Sequence, residues 1–106
     1  MNKTKIVDVN ESEMIDVFEV SVGTEDEYYN EDMSIWKRFL TQEDAEKYAR
    51  DLIARKDTFQ GWGERAKFLL VHVWRVVYEN EISDENVISD GICDSWRLDI
   101  KEELGK

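Results

Sequence analysis

The stretch Leu40–Lys56 constrains the fold of this chain more than any other, because every local signal in it agrees on a helix. Ala45, Tyr48, Ala49, Leu52 and Ile53 recur at i, i+3, i+4, i+7 and i+8, which gathers them into one stripe. Thr41 stands where an N-cap hydroxyl belongs, and Glu43 and Asp44 occupy the first turn, where the helix dipole favours acids. Asp44, three residues after Thr41, makes a shortened capping box. Arg55 and Lys56 bring positive charge to the last turn. Glu43–Lys47, Glu46–Arg50 and Asp51–Arg55 fall at i, i+4 with the acid first, the better order. A helix striped in this way must lie on apolar surface, and the rest of the chain has to supply it.

Lys67–Glu79, KFLLVHVWRVVYE, is the strongest strand. Leu69, Val71, Val73 and Val77 form an aliphatic face suited to the helix; Phe68, Leu70, His72, Trp74, Val76 and Tyr78 form a larger, aromatic one. At about 3.3 Å per residue such a strand spans ~43 Å, whereas the helix covers only ~24 Å. The strand therefore either bends or projects past the helix as a hairpin arm.

Other segments fit around this pair. Ile6, Val7 and Val9 suggest a short edge strand or strapped arm, and Met14–Val22 reads as a strand through Phe18, Val20 and Val22. Gly23–Asp32 reads as an extended hairpin loop, followed by a strand over Met33–Phe39. Glycines on both sides of Trp62 predict a flexible loop carrying a large ring. Val87, Ile88 and Ile92 flank Asp90-Gly91, either a type I′ turn or a bulge in one longer strand. Residues 95–106 fit a strand or a helix equally well. The reading is a single α+β domain over residues 1–106, a mostly antiparallel twisted sheet of about four strands with one main amphipathic helix packed across it.

Charge narrows the function classes. The net charge is −11, and the block Asp8–Asp32 holds ten acids and no Lys or Arg. Lys37–Arg75 is mildly basic, and Glu79–Lys106 is acidic again. Such a chain repels nucleic acid and acidic membranes and attracts basic partners. One Cys and one His cannot build a Cys/His zinc site. The acids lack the spacing of a calcium loop. No phosphate-binding glycine loop, zinc-helix motif or nucleophile elbow is present. We therefore expect no enzyme activity and no catalytic, cofactor or metal site. Without a signal segment or membrane span in the sequence, the expected location is cytoplasmic.

Partner-binding candidates come from three places. Glu25, Asp26, Glu27, Glu31 and Asp32 surround Tyr28 and Tyr29. Dense carboxylates beside aromatic rings imitate a phosphate backbone with stacked bases, or dock on a basic protein surface; the simpler reading is a solvated loop tip. Trp62 is either an exposed anchor or a lid folded onto the core. Trp74, with His72 and Tyr78, belongs to the aromatic face, which is a partner surface unless the N-terminal arm or the C-terminal tail covers it. The edge of the long strand also offers pairing to a second copy.

The junction Phe39-Leu40-Thr41-Gln42-Glu43-Asp44-Ala45-Glu46-Lys47-Tyr48 resembles the strand-to-helix passage of many small phage and bacterial proteins. Small size, strong acidity and the lack of proline look like the phage anti-defence inhibitors as a class, including anti-CRISPR and DNA-mimic proteins. That resemblance implies a stoichiometric inhibitor in the host cytoplasm that occupies a basic surface of a nucleic-acid-handling complex. The alternatives are an immunity protein or antitoxin neutralising a basic toxin, or a small ligand-binding domain using the aromatic sheet face, which requires a concave pocket.

Overall fold

The computed structural model describes residues 13–106, so the expected arm at Ile6–Val9 lies outside the described residues. The expected α+β fold is present. Four antiparallel strands are ordered β2-β1-β3-β4: β1 Met14–Glu25, β2 Glu31–Phe39, β3 Phe68–Glu79 and β4 Val87–Asp99. The main helix α1, Gln42–Ala54, connects β2 to β3, and a short helix α2, Ile100–Leu104, follows β4. Among the described residues, no helix is long and apolar enough to cross a membrane.

Helix α1 starts where its sequence directs. The Thr41 hydroxyl accepts from the Asp44 N–H at 3.2 Å. Its end differs from expectation: Arg55 is the C-cap and the last turn holds no basic residue. The surface ion pairs are also rearranged. Glu46–Arg50 forms at 3.3 Å, but Lys47 turns to Asp51 at 3.1 Å and Arg55 to Asp57 at 3.5 Å. At such exposure each pair contributes only ~0.3–0.5 kcal/mol, so the exchange costs little.

The stripe of α1 is buried through Ala45, Ala49 and Leu52, against Val20 and Val22 of β1 and Leu69, Val71 and Val73 of β3. Two alanines let the helix axis come close to the sheet. Ile100 of α2 and Phe59 of the 3-10 turn Lys56–Phe59 close the end of this core. The ambiguous C-terminal segment is thus strand to Asp99 and then helix, capped by the Asp99 carboxylate on the Glu102 N–H. It packs on the helix side, so it does not cover the aromatic face.

Bulges interrupt three places in the sheet. In β2 the pairing slips at Trp36, and in β4 it slips at Ile88 and at Cys93. Asp90-Gly91 is therefore not a turn; β4 runs as one strand through it. Half of the expected Gly23–Asp32 loop is also strand, since β1 extends to Glu25 and β2 begins at Glu31.

Gly23 fixes how this hairpin lies. A Cβ there would sit 2.0 Å from the Asp32 carbonyl oxygen and 2.7 Å from the Met33 Cα. The backbone of β2 passes through the space any side chain at 23 would need. Gly23→Ala is expected to destabilise the fold by at least ~1–3 kcal/mol through overpacking. Leu69→Ala should cost ~2–5 kcal/mol as a core truncation, and Thr41→Ala only ~1 kcal/mol. Urea unfolding followed by tryptophan fluorescence ranks the three; a Gly23→Ala protein as stable as the parent would contradict the close approach.

Candidate functional site on the open sheet face

The sheet face opposite α1 is formed by alternate residues of all four strands, as the register dictates. Ser21 pairs with Ile35 and His72, Glu19 with Arg38 and Trp74, and Val17 with Val76. Across β3, Trp74 meets Ile92, Val76 meets Asp90 and Tyr78 meets Val87. No helix of the described residues packs on this face. A groove of about 490 Å³ lies along it. Met33, Ile35, Trp74, Val76, Val87 and Ile92 supply its apolar lining. Glu31, Asp84 and Asp90 stand exposed around it, and no Lys or Arg is among the lining residues.

Two buried glutamates hold this face together without a covering layer. Glu19 is 4% exposed. It accepts from Arg38 Nε at 2.8 Å and from the Tyr78 hydroxyl, which links β1 to both of its neighbours. Glu25 is 7% exposed and accepts from Arg97 Nε at 2.7 Å. The Arg97 guanidinium lies 3.7 Å over the Phe68 ring, so this clamp reaches across β3 from β1 to β4. Each carboxylate buried here is neutralised inside the fold, as burial of a charge demands. A smaller cluster of Val17, Val76 and Tyr78, with Ile15 and Trp74, packs on the side of Glu19 away from Glu25.

His72 lines the groove with Nδ1 2.8 Å from Ser95 Oγ, its ring edge-on to Trp74 at 6.1 Å. Burial lowers its pKa, against an opposing pull from Glu31, so the imidazole is neutral near pH 7. Its oxygen partner is a serine on the neighbouring strand, and no nucleophile–base–orienter chain runs through it.

The sequence-derived site residues are split by the fold. Glu25 is not a free acid for a partner; its charge is consumed by Arg97. Asp26 is tied into the hairpin turn, where its carboxylate accepts from the N–H groups of Tyr28 and Asn30 and from the Asn30 side chain. Those bonds, led by Asn30, lower its pKa. Trp62 is not a free anchor: its indole N–H donates to the Thr58 carbonyl at 2.7 Å, and its ring stacks on Trp36 at 6.2 Å. Gly61 and Gly63, at φ +82° and +90°, let the chain fold Trp62 back in this way. Tyr28 and Tyr29 are exposed at the tip, with Glu27, Glu31 and Asp32 near them. Trp74 lies in the groove, apart from the tip. Spacing does not mark Ile35, Val87 and Ile92 as residues of one face, because the bulges at Trp36, Ile88 and Cys93 change the alternation beside them. Among the described residues, no cluster of His, Cys, Asp and Glu could hold a metal ion.

Comparison with protein-family models, curated proteins and solved structures returns no match.

Two pH responses follow. Burial, and then the bond to Glu19, raises the Tyr78 pKa above 10.0. Stability from this group is complete below pH 10 and is lost as pH rises through the folded-state value. Tyr78→Phe should cost ~1–3 kcal/mol near neutrality by leaving the Glu19 carboxylate short of a donor. That gap should narrow above pH 10, as read from paired urea titrations. Asp26 behaves oppositely: its contribution is present above 3.8 and fades as pH falls through a lower value. Protection of the Tyr28 and Asn30 amides, relative to intrinsic exchange at the same pH, should therefore fall only on acidification below that point.

Proposed function

We propose that this protein is a non-enzymatic acidic binding protein that acts by stoichiometric occupation of a basic surface on a partner protein or nucleoprotein complex. One observation carries the reading: the sheet face that no described element covers joins apolar surface to a rim of carboxylates with no Lys or Arg among its lining residues. Hydrophobic contact supplies affinity there, and the rim supplies attraction and selectivity for positive charge. The net charge of −11 extends the same preference over the whole molecule. The class resemblance narrows the partner to a nucleic-acid-handling complex of a host defence system, blocked in the host cytoplasm. A basic toxin neutralised by an immunity protein fits the same surface and is separated by the identity of the partner.

A second reading is supported by the concavity itself. About 490 Å³ is within the roughly 300–1,000 Å³ of small-molecule sites, so a cationic small ligand is the competing occupant.

Immobilised protein exposed to a bacterial lysate tests the proposal. A basic protein or complex should be retained at low ionic strength and weakened at about 0.5 M salt, where the Debye length is ~4 Å. Retention of no basic partner, or of acidic ones equally, overturns it.

A further inference from the structure

We infer that the groove on the open sheet face is the contact surface, and that its occupant is a polypeptide segment of the partner that alternates basic and apolar side chains. The inference rests on the reading of this protein as a binder of basic partners and assigns that reading a site and a ligand chemistry.

Charge complementarity selects the occupant. Glu31 on β2 and Asp90 on β4 face the groove from opposite sides, with Asp84 at one end. None of the three takes part in an ion pair among the described residues. Arg38 and Arg97, the arginines on this face, are already held by Glu19 and Glu25. A cation brought by a partner meets unpaired carboxylates and the ring of Trp74, an arrangement suited to guanidinium or ammonium. Nucleic acid is repelled by the same groups.

Charge alone does not use the whole surface. Ile35 is 45% exposed and Ile92 is 51% exposed, one on each outer strand with Trp74 between them. Apolar side chains of the occupant cover these, while its basic side chains reach the rim. An extended segment delivers both when its apolar side chains face the groove floor and the long basic side chains between them bend back past its sides to the rim. The hairpin tip offers no comparable seat: Tyr28 and Tyr29 are 74% and 75% exposed, and two of its acids, Glu25 and Asp26, are bound internally.

Three fluorescein-labelled ten-residue peptides test this with the intact protein: alternating Arg-Val, alternating Arg-Gly and alternating Glu-Val, with arginine amide as a small-ligand competitor. Anisotropy titrations at 0.05 M salt should show the Arg-Val peptide binding at least tenfold tighter than Arg-Gly, and Glu-Val not binding. Amide shifts should map to β2, β3 and β4 around Ile35, Trp74 and Ile92. The variants Glu31→Lys with Asp90→Lys, and separately Ile92→Lys, change exposed positions and should each weaken Arg-Val binding at least tenfold. Circular dichroism confirms that each variant is folded.

Equal binding of Arg-Val and Arg-Gly would overturn the apolar half of the inference. Binding that is lost in a Glu27→Lys, Tyr28→Ala, Tyr29→Ala variant but unaffected by the groove variants would overturn the site, while the reading of a basic-partner binder stands. Competition by arginine amide with the same affinity per site would identify a small-ligand pocket instead. Failure of every basic peptide, together with failure to retain a basic partner from lysate, would remove both.

Discussion

Strands of twelve or more residues, spanning ~40 Å, are covered by a helix of only ~20 Å on one face. That mismatch is the constraint the rest of the structure answers. On the covered face the answer is conventional: alanines at the closest approach, Leu52 beside them, and valines from the two central strands. On the uncovered face hydrophobic burial alone cannot hold four strands, because nothing among the described residues lies over them. The Glu19–Arg38–Tyr78 and Glu25–Arg97–Phe68 clamps bind strand to strand there instead. Buried ion pairs add little net stability over apolar packing, yet breaking one costs ~3–5 kcal/mol. They act as register markers: a one-residue slip of β1 against its neighbours would bury either glutamate without its partner.

The sequence was most legible where local and tertiary signals coincide. The cap of α1, its buried stripe and the two faces of β3 follow from spacing, and the structure places them accordingly. It was least legible where an extra residue changes parity. By simple alternation Asp90 and Ile92 would share the side of Trp96 and Leu98, against the helix. The bulge at Cys93 moves them to the open face, opposite Val76 and Trp74. The groove exists because of that shift, and no periodicity argument over β4 could find it. A similar slip at Trp36 leaves Ile35 on the open face and lets Trp36 reach Trp62 on the other.

Acid density misled for a different reason. Glu25, Asp26 and Glu27 are adjacent in sequence, so they read as one patch. In the fold they do three different things. Glu25 points into the sheet toward Arg97, Asp26 builds the turn, and Glu27 is solvated. Linear charge density measures neither burial nor pairing, and a carboxylate already satisfied by an arginine has little left to offer a partner. Glu31 is far in sequence from Asp84 and Asp90, and all three line one groove only because antiparallel pairing brings β2 and the β3–β4 hairpin to the same face.

A surface of this kind divides the labour of binding. Long-range attraction from an acidic molecule raises the rate of encounter with a basic partner and decays within a Debye length of ~8 Å at physiological salt. It distinguishes partners only by sign. Apolar contact on Ile35, Trp74 and Ile92 is insensitive to salt and governs how long an encounter lasts. Glu19, in register with Trp74, and Glu25 are each neutralised by an arginine of the fold, so a ligand need not reorganise them. Only the rim must be desolvated on binding, and only a cation compensates that loss. On the proposed reading, the same division lets a chain with such an excess of acid be selective: charge would bring many basic surfaces to it, and the shape and polarity of one groove would decide which of them stays.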